Sequence, residues 1–187
     1  MNSFYSNEEL ECLGLKKYGN NVLISRKVSI YGVENISIGS NVRIDDFCIL
    51  SGRIVLENYI HIAAYSALYG GSEGIHIEDF SNISSRVSIY SINDDYSGNS
   101  MTNPTIPDQY KKIESGRVYI QKHSIIGASS VVLPGVTIGE GSAFGSFSFI
   151  NHDSAPWGIY AGIPFHFIKP RSCKLLSFEK QFSEKTK

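Results

Sequence analysis

Histidine, aspartate and cysteine are the residues here that could move protons or hold a metal, and their spacing decides which chemistry is open. The five histidines, His61, His76, His123, His152 and His166, include no close pair. Zinc hydration or hydrolysis calls for three histidines with tight spacing between two of them, so no metal ligand is assigned. Cys12, Cys48 and Cys173 are odd in number and match neither a disulfide framework nor a zinc site, which reads as reduced thiols. The segment Asn93-Asp94-Asp95-Tyr96-Ser97-Gly98 gathers carboxylates, an amide, a phenol and a hydroxyl. Its bland reading is an Asx-type turn opening a loop, and its functional reading is a polar site that could orient a ligand and move a proton. An aspartate near its ordinary pKa of about 4 is a feeble base for a hydroxyl. An amine is less demanding, because it is nucleophilic once neutral and a carboxylate can orient it and take a proton late.

The elements that position these residues follow from a periodicity. The chain has 187 residues, which suits one domain with a long appendage. Lys plus Arg is 17 and Asp plus Glu is 18, so the net charge of −1 leaves no basic footprint for nucleic acid or an anionic membrane. Polar residues break every apolar stretch after a few positions, so no membrane span or signal-peptide core is expected, and the expected location is the cytoplasm. Every sixth residue from Ile38 to Leu68, from Ile77 to Ile89 and from Ile120 to Ile150 is large and apolar. Four residues after each comes a second and mostly smaller series, including Val42, Cys48, Ser66, Ser72, Ser81, Asn93, Ser124, Ser130, Ser142 and Ser148. A helix needs a period near 3.6 and a simple strand a period of 2, so a period of six implies short strands joined by tight corners. Three such rungs close a triangular coil, and the series predicts about five stacked coils.

Two interruptions stand out. One is a short glycine-rich stretch between Leu68 and Ile77, and the other is a long insertion between Ile89 and Ile120, residues 93–117, long enough to be functional. Residues 1–27 read as a cap, with a Ser6–Glu9 capping box starting a helix over 8–17 that Gly19 stops. Residues 172–187 read as a C-terminal helix whose Leu175, Leu176, Phe178 and Phe182 share a face.

Ile126-Gly127-Ala128-Ser129-Ser130-Val131 and Ile138-Gly139-Glu140-Gly141-Ser142-Ala143 resemble the hexapeptide repeat of the left-handed parallel β-helix acyltransferases. Val132-Leu133-Pro134-Gly135-Val136-Thr137-Ile138-Gly139, followed by Ala161-Gly162-Ile163-Pro164 and Ile168, is similar to the carboxy-terminal signature of the maltose, galactoside and xenobiotic acetyltransferase branch. The resemblance spans about residues 28–171 and implies an all-β, left-handed parallel β-helix. It also implies a homotrimer with acetyl-CoA as co-substrate in clefts between subunits, where the 93–117 loop covers a neighbour's site. The acceptor would attack the thioester directly.

That branch carries a histidine a few residues past the rung that precedes the long loop. Aligning Val87-Ser88-Ile89-Tyr90 on the preceding rung puts Asp94 in its place, which makes Asp94 the expected base or orienting carboxylate and Asn93, Asp95 and Tyr96 its acceptor-site neighbours. His123 is the rival base, pointing outward beside Ser124, and His61 is an outward site residue with Tyr65 and Tyr69 following on nearby corners to hold a sugar ring. The resemblance maps pantetheine and adenine contacts onto Ala128, Ser146, Asn151 and His152, and phosphate contacts onto His166 and Lys169. Lys169 and Arg171 are cations suited to the phosphates of coenzyme A, and Trp157 is read as packing. The expected activity is O- or N-acetylation of a sugar or nucleotide-linked amino sugar in surface polysaccharide synthesis. The alternatives are a non-catalytic β-helix scaffold and, less favoured, a β-helix carbonic anhydrase.

Overall fold

The computed structural model describes residues 3–185. Three parallel sheets run side by side along the molecule, with six strands on the first face, eight on the second and six on the third. The register reproduces the repeat. Ile44 lies beside Ile62 and Ile126 beside Phe144, each pair separated by three rungs of the series, as one coil requires. Ile62 pairs with Ile83 and Ile83 with Ile126, where the wider spacings are one coil plus the short interruption and one coil plus the long insertion. The large inward series is sealed, from Ile38 at 1% exposure to Phe144 at 3%. Each buried Leu or Ile side chain contributes about 1.5–3 kcal/mol, so the stack supplies the core without a second layer.

The corners share one backbone feature. Phe47, Tyr59, Tyr65, Phe80, Arg86, His123, Ser129 and Phe147, each just before a residue of the second inward series, have φ between 57 and 64°. Left-handed backbone costs a non-glycine residue about 1–2 kcal/mol, and the stack offsets it in two ways. Where a serine follows, it fits inside and bonds locally, as Ser130 Oγ donates to Gly127 O at 2.7 Å and Ser148 Oγ to Gly145 O at 2.6 Å. The corner side chains project outward and stack coil on coil, Phe47 on Tyr65 and Tyr59 on Phe80, both at 4.9 Å.

Several expectations are corrected. The stack has six full coils and part of a seventh rather than five, because Lys17–Tyr18, Leu23–Ile24 and Ser29–Tyr31 already form a coil; the boundary at residue 28 falls inside it. Tyr18 pairs with Ile38 and Ile24 with Ile44, a spacing slightly longer than three rungs, and the surplus around the 3₁₀ turn Val33–Asn35 puts this coil out of phase with the rest. Helix α1 is Asn7–Cys12; its Ser6–Glu9 capping box is present, but the chain leaves the helix at left-handed Gly14, not Gly19, because Lys17 and Tyr18 join the first face. Ser72 is exposed on the glycine-rich bulge, and Ile75 re-enters the core instead. Helix α2 spans Leu175–Lys185 rather than starting at Ser172. The last two strands, Gly158–Gly162 and Phe165–Pro170, close the second face as an antiparallel hairpin.

Candidate functional site

The long insertion is not a bare loop. Ile92–Asp94 and Ile113–Ser115 pair antiparallel, with Ile92 opposite Ser115, Asn93 opposite Glu114 and Asp94 opposite Ile113. The hairpin is anchored at its base, where Gly116 N donates to Ser91 O at 2.9 Å and Ser91 Oγ donates to Gly70 O. The glycine bulge receives it, since a Cβ at Gly71 would occupy the place of Ile92 Cγ2.

Asp94 stands at the end of this strand, half-buried, on the shared wall of two cavities of about 730 and 320 Å³. Its Oδ2 accepts from Asn103 N at 3.3 Å, and Oδ1 accepts from no group among the described residues. Asn103 is itself fixed, with Oδ1 accepting from Thr105 N at 2.9 Å. Asp95 is different. It is 3% exposed, and its two oxygens accept from Ser97 N at 2.8 Å and Ser100 Oγ at 3.0 Å. Hydrogen bonds from Ser97 and then Ser100 hold its carboxyl below the usual range. Asp95 therefore makes the Asx-type turn, and Asp94 faces the open space. Asn93 lines the smaller cavity and Tyr96, 84% exposed, the larger. Behind Asn93, Tyr69 and Tyr90 stack at 5.0 Å, and burial raises the Tyr69 phenol.

The remaining expected residues fall elsewhere. Ala128 and Ser146 sit on consecutive coils at the corner between the second and third faces, where Phe147 N donates to Ala128 O at 2.9 Å. Asp94 leaves from the corner between the third and first faces, a different edge of the prism. Asn151 and His152 follow the last strand of that third face, and the His152 ring stacks on Phe165 at 4.1 Å. His166 and Lys169 are exposed on the closing hairpin.

Three residues are engaged within the fold. His61 lies on the second face with Nε2 2.8 Å from Asp45 Oδ2 and Nδ1 3.1 Å from Asn82 Oδ1. It shares no site with Tyr65, which stacks on Phe47, or with Tyr69. His123 does leave the coil outward, but α2 covers it. It is 7% exposed, stacked on Phe80 at 5.3 Å, with Nε2 2.8 Å from Glu179 Oε2. Arg171 points inward at the same corner, where Nη1 donates to His123 O at 2.7 Å and Gly141 O at 2.9 Å, and burial lowers its pKa. Trp157 packs over Gly141. Among the described residues no cluster of three His, Cys, Asp or Glu side chains could hold a metal, and no helix is long and apolar enough to cross a membrane.

One corner residue escaped the sequence reading. Ser84 is half-exposed on the coil before Ala128, with its N donating to Ile126 O at 3.0 Å. Its place in the sequence, directly after Ile83 of the large inward series as Gly127 follows Ile126, was the signal for it.

Residues 117–152 match the family model described as "Bacterial transferase hexapeptide (six repeats)". The chain is 51% identical over 177 residues, 93% of its length and 92% of the other's, to a dTDP-4-amino-4,6-dideoxy-D-glucose acyltransferase of Escherichia coli. A second E. coli relative, named for lipopolysaccharide biosynthesis O-acetyl transfer, is 28% identical over 79% of this chain and 74% of its own. Among solved structures, the S84C variant of AntD, an N-acyltransferase from Bacillus cereus, in complex with dTDP-4-amino-4,6-dideoxyglucose and coenzyme A, superposes with a TM-score of 0.97; it is 52% identical and covers 99% of each chain. The AntD complex with dTDP and 3-hydroxybutyryl-CoA, also at a TM-score of 0.97, is 53% identical and covers 100% of this chain and 99% of that one. AntD structures also include D94A and D94N variants, and this chain has Ser and Asp at positions 84 and 94. With identity this high along nearly its whole length, and the hexapeptide signature on its later coils, the chain belongs to the hexapeptide-repeat acyltransferases.

Proposed function

We propose that this chain transfers an acyl group from coenzyme A to the amine of a nucleotide-linked 4-amino sugar, the class of acceptor bound by AntD and named in its E. coli relative. The observation that carries the reading is Asp94: a carboxylate that lines both cavities, with Oδ2 held by Asn103 N and Oδ1 accepting from no group among the described residues. Asp94 Oδ1 accepts a hydrogen bond from the sugar amine and orients its lone pair at the thioester carbonyl carbon. The C–N bond forms, the tetrahedral intermediate collapses with cleavage of the C–S bond, and the amine's proton passes to the departing sulfur, by way of Asp94. The products are an amide and free coenzyme A thiol.

No acyl-enzyme is needed. Cys48 is buried and its thiol is pushed up to about 11, while Cys12 and Cys173 are exposed in the terminal segments.

The donor runs along the corner of Ser84, Ala128 and Ser146, whose small side chains let a pantetheine arm approach the backbone, with Asn151 and His152 beyond it. Exposed His166 and Lys169 serve the phosphates, and Arg171 holds carbonyls within its own subunit instead. Because that corner and Asp94 lie on different edges, a homotrimer completes the site by setting one subunit's corner against the next subunit's hairpin. A cytoplasmic location suits an enzyme that draws on both an acyl-CoA and a nucleotide sugar. A nucleotide-linked amino sugar fits synthesis of surface polysaccharide.

Thiol release with acetyl-CoA and dTDP-4-amino-4,6-dideoxyglucose tests this reading. Asp94→Asn is expected to lower kcat by about 10² while leaving coenzyme A affinity within about twofold. Unchanged turnover in that variant contradicts the role given to Asp94.

A further inference from the structure

Ile92, Asp94 and Ile113 share one face of the hairpin. Residues i and i+2 of a strand point the same way, which sets Ile92 with Asp94, and directly opposed residues share a face, which adds Ile113. Opposed Cβ atoms stand about 5 Å apart. The Asp94 carboxylate is thus flanked at close range by two branched aliphatic side chains. All three line the smaller cavity, whose wall continues through Tyr90 and Pro104 on their side and through Asn93, Asn103 and Lys111 elsewhere. Gly71 fixes Ile92 from below, so this methyl-bearing wall is built into the fold.

A ligand matching the face carries an amine with an alkyl group on the adjacent carbon. A 4-amino-4,6-dideoxyhexose has that pattern, because the amine on C4 is vicinal to C5, which bears the C6 methyl. We infer that Ile92 and Ile113 select 6-deoxy acceptors by receiving the C6 methyl beside the Asp94-bound amine; this rests on the acceptor reading above. In a 6-hydroxy counterpart the added hydroxyl takes the methyl's place against Ile92 and Ile113, whose side chains offer it no hydrogen bond, and it gives up water on that side. Apolar pockets discriminate against an added hydroxyl by about 10²-fold.

The test compares kcat/KM for dTDP-4-amino-4,6-dideoxyglucose and dTDP-4-amino-4-deoxyglucose, with acetyl-CoA as donor, in the wild type, Ile92→Thr and Ile113→Thr. The wild type is expected to favour the 6-deoxy acceptor by roughly 10–100-fold. Each variant is expected to bring that ratio to within about fivefold while the ratio between acetyl-CoA and butyryl-CoA stays unchanged. Equal efficiency on both acceptors in the wild type overturns the inference alone, and it does so even where a variant fails to fold. A change in donor preference without a change in acceptor preference also overturns it, by assigning the wall to the acyl chain. Absence of turnover on both acceptors overturns the acceptor reading and this inference with it.

Discussion

Asp94 and Asp95 are adjacent in sequence and have opposite fates, because both oxygens of Asp95 accept from its own loop while Asp94, which lines both cavities, keeps one oxygen without a donor among the described residues. Sequence could locate the pair but not divide the labour, which depends on where Ser97, Ser100 and Asn103 turn back. The same limit applies to His61, His123 and Arg171. The repeat revealed the direction of His123, yet nothing in its neighbours revealed the helix that covers it. Arg171 reads as a phosphate ligand by residue type, and in the fold its Nη1 donates to the carbonyls of His123 and Gly141. Arg171→Ala leaves those acceptors unpaired at a cost of about 1–3 kcal/mol. Its melting temperature is expected to fall by about 5 °C, while KM for acetyl-CoA stays within about twofold. A large rise in KM without a change in melting temperature would restore Arg171 to the donor site.

At the scale of elements, the period-six series was legible because each rung needs one large inward side chain, and both interruptions of that series reappear unchanged in the strand register. The first coil was illegible for the converse reason: a small surplus of chain breaks the phase without breaking the coil. The hairpin inside the long insertion was also hidden, since its strands carry no simple alternation. Helix α2 makes a separable prediction. It docks through Phe182, edge-on to Tyr59 at 5.2 Å, and through Glu179, which bonds Lys122 and His123. Burial opposes ionisation of Glu179, but hydrogen bonds from Lys122 and His123 win and hold it below its ordinary 4.5. A carboxyl lowered in the folded state contributes stability above its unfolded pKa and loses it as pH falls through the folded value. Glu179→Gln should therefore lower the melting temperature at pH 7, with the gap from wild type closing below pH 4.5. A gap independent of pH would show that Glu179 acts through packing alone.

For the whole molecule, the proposed trimer would make activity a property of neighbours, because Asp94 and the Ala128–Ser146 corner lie on different edges of the prism. Asp94→Asn and Ser146→Trp are each expected to inactivate a homogeneous preparation. Co-expressed, they should regain about a quarter of wild-type activity, because random mixing pairs an intact hairpin with an intact corner at one site in four. No recovery would place the whole site within one subunit. The central claim is acyl transfer to nitrogen, and it is tested most directly by mass spectrometry and NMR of the product formed from acetyl-CoA and dTDP-4-amino-4,6-dideoxyglucose. One thiol released per acetyl group gained and an amide at C4 are expected. Acetylation at a sugar hydroxyl, or thiol release with no acetylated sugar, would contradict it.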